Sequence, residues 1–128
     1  MKIKKTTPIL CVDSIERCLP FWLESMGYVK TVEVPHEGVL GFVILKNDGS
    51  EIMLQTHRSL KDDLPEVAKH IKPGAIFLYS DVNSIQETRD AMKNAKVIVP
   101  LRTTEYGANE IFIQDHDGNV IGFAEFNK

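Results

Sequence analysis

The chain is written twice. Asp48-Gly49-Ser50-Glu51-Ile52-Met53 in the first half returns as Asp117-Gly118-Asn119-Val120-Ile121-Gly122 in the second, turn and following strand alike. Upstream of each turn an apolar strand runs into an acidic helix start. The first is Leu10-Cys11-Val12-Asp13-Ser14-Ile15 and the second is Phe77-Leu78-Tyr79-Ser80-Asp81-Val82. Each half therefore reads as strand, helix, then strands closed by an Asp-Gly turn. A tandem repeat of this size folds as two pseudo-symmetric modules within one domain. Corresponding strand positions then face each other, so a site built there is legible in the sequence as paired residues.

The bulk properties narrow the partners. A net charge of −3 with scattered Lys and Arg gives no basic footprint for nucleic acid. No apolar run approaches the ~20 residues of a membrane span. The basic stretch Met1-Lys2-Ile3-Lys4-Lys5 has no long apolar segment behind it, as a signal peptide would. Cys11 and Cys18 are the only two cysteines, which fits a reduced cytoplasmic protein better than a disulfide framework. The expectation is a cytoplasmic protein with neither nucleic acid nor membrane as partner.

Coarse patterning places the elements. Residues 8–12 form an apolar strand, and Asp13 or Ser14 caps the following helix, with Glu16 spaced for a capping box from Asp13. Ile15, Cys18, Leu19, Trp22 and Met26 recur with helical period, and Gly27 stops the helix. Pro20 falls inside it and predicts a bend, because proline removes a backbone donor. Strands are predicted at 28–34, 40–46 and 51–57. Residues 58–73 read as a polar linker with a short helix at 65–71. The second module opens with a strand at 75–79. A helix at 83–94 follows, burying Ile85, Thr88, Ala91, Met92 and Ala95, and strands come at 97–104, 109–114 and 120–126.

This order, strand–helix–three strands written twice, resembles the vicinal oxygen chelate superfamily of glyoxalases, extradiol dioxygenases and bleomycin-resistance proteins. The residues carrying the resemblance are Pro8 to Asp13, Phe21-Trp22, Gly27-Tyr28 and Glu51 to Gln55. In the second half they are Tyr106-Gly107 and Ile111 to Asn119, where His116 replaces the usual proline of the turn. The resemblance implies an α+β fold of two tandem βαβββ modules whose curved mixed sheet encloses a central cleft. It is expected as a single domain over 1–128, with module 1 at about 5–57, a linker at 58–73 and module 2 at about 74–127.

In enzymes of that superfamily the cleft holds a divalent metal on four strand positions. Carried over residue by residue, the slots here are Thr7, Met53, Gly74 and Gly122. A threonine, a thioether and two glycines offer none of the imidazole or carboxylate donors such an ion requires. No metal or other cofactor is therefore expected. His36, His57, His70 and His116 have no ligand spacing and read as partly exposed surface residues. His57 is the exception, because strand alternation puts it on the face of Met53 and Gln55. Glu110 alternates with Phe112 toward the cleft, while Glu125 turns away from it.

Alternation lines the inner face with Thr7, Ile9, Met53, Gln55, Ile76, Leu78, Phe112 and Gly122, and adds Arg102 and Tyr106 as charged and aromatic candidates. Trp22 reads first as core. The candidate ligand-binding set is Thr7, Met53, Gln55, His57, Arg102, Tyr106, Glu110, Phe112 and Gly122, with no catalytic residue. The resemblance to the bleomycin-resistance branch, carried by Ile52-Met53-Leu54-Gln55, implies metal-free sequestration of a small organic, aromatic or drug-like ligand by a homodimer. Two other readings stay open. One is a lyase, isomerase or dioxygenase with a displaced metal on Gln55, His57 or Glu110. The other is a dimeric interaction module without a ligand.

Overall fold

The structure is a computed structural model and describes residues 1–127. The chain forms two compact units, Met1–Pro73 and Gly74–Lys128. Each carries a four-stranded mixed sheet with helices, an α+β arrangement that repeats as the sequence does.

In the first unit β1 (Ile9–Val12) leads to α1 (Ile15–Leu19), then to β2 (Val29–His36), β3 (Val39–Asn47) and β4 (Ser50–Thr56). The sheet order is β1-β4-β3-β2, with β1 parallel to β4 and the other pairs antiparallel. Alternation along β4 sends Ile52 and Leu54 to one face, where they are buried together with Leu10, Val12, Ile15, Cys18 and Trp22. Glu51, Met53 and Gln55 point to the other. Trp22 is 1% exposed and meets Phe21 and Tyr28 edge-on at 5.2 and 5.5 Å, a favoured aromatic geometry. It is a core residue.

Ser14, not Asp13, caps α1, accepting from the Arg17 N–H at 3.3 Å. Glu16 makes no capping box. Its carboxylate reaches across to accept the Leu40 N–H at 2.8 Å, tying the helix to β3. At Pro20 the predicted disturbance takes a definite form, a π-helix over Pro20–Ser25. Proline has no N–H to give and crowds the preceding turn. Widening that turn accommodates the ring, and the Met26 N–H bonds the Phe21 carbonyl at 2.9 Å. Gly27 ends the segment at φ +74.

The segment after β4 is more ordered than a linker. Thr56 caps a helix α2 (His57–Asp63), accepting from the Ser59 N–H at 3.1 Å, and α3 (Pro65–Ala68) follows. Polar composition hid α2 because only Leu60 in it is buried.

The second unit repeats the plan with β5 (Phe77–Asp81), α4 (Ile85–Ala91), β6 (Lys96–Thr103), β7 (Ala108–Gln114) and β8 (Val120–Phe126), in the order β5-β8-β7-β6. Ser84 caps α4 through the Glu87 N–H at 3.1 Å, and Glu125 accepts the Ile85 N–H at 2.7 Å. Ile85 and Met92 are buried, whereas Ala91 is exposed and the helix ends three residues short of expectation. Ile111, Ile113, Ile121 and Phe123 fill the helix-covered face. The turn between β7 and β8 is organised by Asp115, whose carboxylate accepts the N–H groups of Asp117 and Asn119 and the Asn119 amide.

The outer strands β2 and β6 are irregular in the same way. Each contains a proline, Pro35 or Pro100, and each shifts register twice against its neighbour. Among the described residues no helix is long and apolar enough to cross a membrane.

Candidate functional site

The side chains that matter lie on the face of the second sheet opposite α4. Tyr79 on β5 pairs in register with Gly122 on β8, Gly122 with Phe112 on β7, and Glu110 on β7 with Arg102 on β6. Paired strand positions share a face, so four strands bring these five residues into one patch. Tyr106, in the turn before β7, reaches over the same spot.

Glu110 is its centre. Its side chain has no exposed surface, yet all its lone-pair directions have partners. Oε1 accepts from Arg102 Nε at 2.9 Å and Nη2 at 2.8 Å. Oε2 accepts from the Tyr106 hydroxyl at 2.7 Å and from the Tyr79 hydroxyl. Burial alone pushes the Glu110 carboxyl up. The hydrogen bonds from Tyr79, Tyr106 and Arg102 outweigh it and hold the group below the usual carboxylate range. The same carboxylate, by accepting its proton, pushes the Tyr79 phenol well above its ordinary value. Glu110 is therefore ionised and the Tyr79 phenol keeps its proton. No buried polar side-chain atom among the described residues lacks a partner.

Around this polar knot the surface is aromatic. Phe77 and Tyr79 are 65% and 47% exposed on an open strand, and both rings lie within 6.5 Å of Phe112, at 6.1 and 6.4 Å. The Arg102 guanidinium sits 5.7 Å from the Phe112 centroid, a cation–π distance. Gly122 is the floor. A Cβ there would meet the Phe112 ring at 2.5 Å and Tyr79 at 3.3 Å, so the glycine admits the Phe112 ring and leaves no empty space for a ligand.

The strand register corrects several expectations. Ile76 and Leu78 do not line the open face. Leu78 pairs with Ile121 on the helix side, and Phe77 and Tyr79 take the open positions instead. Gly74 is not on β5 at all. It sits in a turn at φ +76, where a Cβ would lie 2.5 Å from the Asp117 carbonyl oxygen, and close backbone approach of this kind demands glycine. Gly74, Ile76 and Leu78 share one alternation, and Tyr79 falls on the other. Only its pairing with Gly122 reveals it, and no local pattern encodes that pairing.

In the first unit Met53 and Gln55 alternate to one face of β4, in register with Ile9 and Cys11, and Thr7 precedes β1. Thr7 donates to Glu51 at 3.0 Å. Lys5, at 2.7 Å from Glu51, holds that carboxyl below its usual value, with Thr7 and Lys46 adding to the effect. Gln55 is buried and donates to Ser59 Oγ at 3.2 Å. His57 leaves this face, because the strand ends at Thr56 and His57 opens α2. The residue beside Met53 in the sheet is Ile9. None of the four carried-over metal positions is itself an imidazole or carboxylate, and the carboxylates near them are already engaged, Glu51 by Thr7, Lys5 and Lys46 and Glu110 by Arg102, Tyr79 and Tyr106. The family's divalent ion does not fit this donor set.

One histidine cluster escaped the sequence reading. His36 Nε2 lies 2.7 Å from Asp62 Oδ2 and 4.0 Å from Glu37 Oε1, bringing the β2–β3 turn to α2. Gly41 makes room for it, since a Cβ there would meet His36 Cβ at 2.5 Å.

The fold agrees with the comparisons. The Glyoxalase/Bleomycin resistance protein/Dioxygenase superfamily matches residues 2–123, and the chain belongs to it. Among solved structures it is similar to TnmS3, an antibiotic binding protein from Streptomyces sp. CB03234, at 20% identity and a TM-score of 0.73, covering 99% of both chains. It is also similar to TioX from Micromonospora sp. ML1, with 13% identity, a TM-score of 0.75 and coverage of 97% of this chain and 99% of that one. A glyoxalase/bleomycin resistance protein/dioxygenase family enzyme from Burkholderia phytofirmans PsJN aligns at 16% identity and TM-score 0.77, over 94% and 97%. No curated protein matches the sequence.

Proposed function

We propose that the protein captures a small aromatic molecule without a metal and without converting it. The observation that carries this reading is the open face of the second sheet. There the exposed rings of Phe77 and Tyr79 and the packed ring of Phe112 surround a polar cluster whose internal hydrogen bonds are complete. Convergent aromatic surface with a few fixed polar groups is the usual make-up of a small-molecule site. A fully engaged Glu110 is poorly suited to act as a general base or metal ligand, since releasing it breaks hydrogen bonds to Tyr79, Tyr106 and Arg102. Arg102, Tyr106, Glu110, Phe112 and Gly122 form the proposed binding set, joined by Tyr79 and Phe77. Thr7, Met53 and Gln55 of the first unit are proposed by themselves as ligand contacts, and a homodimer is the proposed assembly. The structural relative described as an antibiotic binding protein supports a sequestering, drug-protective role.

Two measurements on one preparation test it. Metal content after incubation with Ni, Zn, Fe(II), Mn and Mg, followed by desalting, is expected to be well below stoichiometric. His36→Asn is run alongside so that metal held by His36, Glu37 and Asp62 is recognised. Calorimetric titration with planar aromatic compounds is expected to give saturable binding with the compound recovered unchanged. Stoichiometric metal that persists in His36→Asn, with turnover, would sink the proposal in favour of a metal-dependent lyase, isomerase or dioxygenase.

A further inference from the structure

Glu110 determines which hydrogen-bonding groups the patch presents to a ligand. A phenol has one hydrogen to donate. Tyr79 and Tyr106 each spend theirs on Glu110 Oε2, while Oε1 is taken by two N–H groups of Arg102. Both hydroxyls belong to residues with large exposed surfaces, 47% for Tyr79 and 62% for Tyr106. What their oxygens have left to offer is lone pairs. The charge on Arg102 is matched by the carboxylate it is bonded to, so the cluster carries no net charge to draw in an anion. An incoming carboxylate would also meet two oxygens with no hydrogen to give.

We propose that this face selects an uncharged aromatic ligand bearing a hydroxyl donor, a phenol-type compound. Its O–H is accepted by the Tyr79 and Tyr106 oxygens, and its ring lies on Phe77 and Phe112. The inference rests on the binding reading above and adds the polarity of the ligand to it. Glu110 acts through the tyrosines as a positioning residue. By fixing the direction of both phenol hydrogens it makes the site an acceptor, in the way a buried polar network specifies one arrangement.

The prediction is a reversal. In Glu110→Gln the amide N–H₂ donates toward the tyrosine oxygens and the amide oxygen keeps the Arg102 bonds. Both phenol hydrogens are then released outward, and the Arg102 charge is no longer matched. The site becomes a donor site with a positive bias.

The probes are 2-naphthol, 2-methoxynaphthalene and 2-naphthoate, which share one ring system, titrated at neutral pH by calorimetry against the full chain. Wild type is expected to bind 2-naphthol roughly five- to tenfold more tightly than 2-methoxynaphthalene, as one net hydrogen bond allows, and 2-naphthoate most weakly. Glu110→Gln should invert the order and prefer 2-naphthoate. Tyr106→Phe, which keeps the exposed ring and withdraws one of the hydrogen bonds to Glu110, should reduce the preference of 2-naphthol over its methyl ether with little loss for the ether itself. Equal binding of 2-naphthol and 2-methoxynaphthalene by wild type overturns the inference while leaving aromatic capture intact, as does an unchanged order in a folded Glu110→Gln. Failure of all three probes to bind wild type overturns both.

Discussion

Replacing Arg102 by methionine separates the charge of the cluster from its packing. Methionine keeps an apolar stem over Phe112 and removes the guanidinium, so Glu110 Oε1 loses its partners at 2.9 and 2.8 Å. Breaking a fully buried ion pair costs about 3–5 kcal/mol. The Arg102 side chain is 53% exposed, however, so water reaches part of the space it leaves, and Tyr79 and Tyr106 still hold Oε2. The expected loss at neutral pH is nearer the 1.5–3 kcal/mol of hydrogen bonds to a charged group, about 5–10 °C in Tm for a chain of this length. The pH dependence is the sharper signature. In wild type the Glu110 carboxyl is depressed in the folded state. Its stabilisation is therefore present above the ordinary carboxylate value of 4.5 and is lost as pH falls through the lower folded value. In Arg102→Met burial is opposed by fewer hydrogen bonds and the group rises. Its stability deficit then shrinks on acidification, because the folded state takes up the proton. Urea unfolding of both proteins between pH 7 and pH 4 measures this. A deficit below about 0.5 kcal/mol, typical of an exposed pair, or one that does not change with pH, would refute the account of Glu110 as a buried charge held by its partners.

Three other perturbations follow from the same geometry. Gly122→Ala drives a Cβ into the Phe112 ring and is expected to cost about 1–2 kcal/mol by overpacking. Adding Phe112→Ala should recover part of that loss in a double-mutant cycle, and simple additivity would contradict the contact. Tyr79 should ionise late in an alkaline absorbance titration, because Glu110 raises it. Any stability it contributes is present below pH 10 and lost only as pH climbs through its raised value, and Tyr79→Phe should delete that late step. Ser84→Ala removes the side-chain cap of α4 and should cost about 1 kcal/mol. Hydrogen exchange should quicken in the first turn of α4, with Ile85 protected longest because Glu125 still holds its N–H.

The architecture was legible because repetition and alternation are local. The Asp-Gly turns, the strand at Val120–Phe126 and the helix stop at Gly27 all follow from short-range backbone chemistry. The face of β5 was not legible, because Gly74, the slot the resemblance assigns there, sits in a turn packed against Asp117 and does not set the phase of the strand. The helix His57–Asp63 was hidden because a surface helix with one buried residue has little periodicity to read. Five of the seven residues of the patch, Arg102, Tyr106, Glu110, Phe112 and Gly122, could be read from sequence. Glu110, Phe112 and Gly122 share one alternation or one pairing, and Arg102 was found as a lone charge. Tyr79 needed the parallel register between β5 and β8, a long-range property. His36 meeting Asp62 is likewise a contact between a hairpin turn and a helix that spacing cannot announce.

The irregular outer strands have a consequence for the chain in solution. A sheet edge displays unpaired N–H and C=O groups that invite another chain to add to it, and β2 and β6 are corresponding edges of the two sheets. Pro35 and Pro100 each remove a donor from an edge, and the register shifts beside them break the even spacing an incoming strand would need. The duplicated fold thus carries a duplicated guard against fibril growth, on strands whose valines and isoleucine would otherwise be sticky: Val32 and Val34 in one, Val97 and Ile98 in the other.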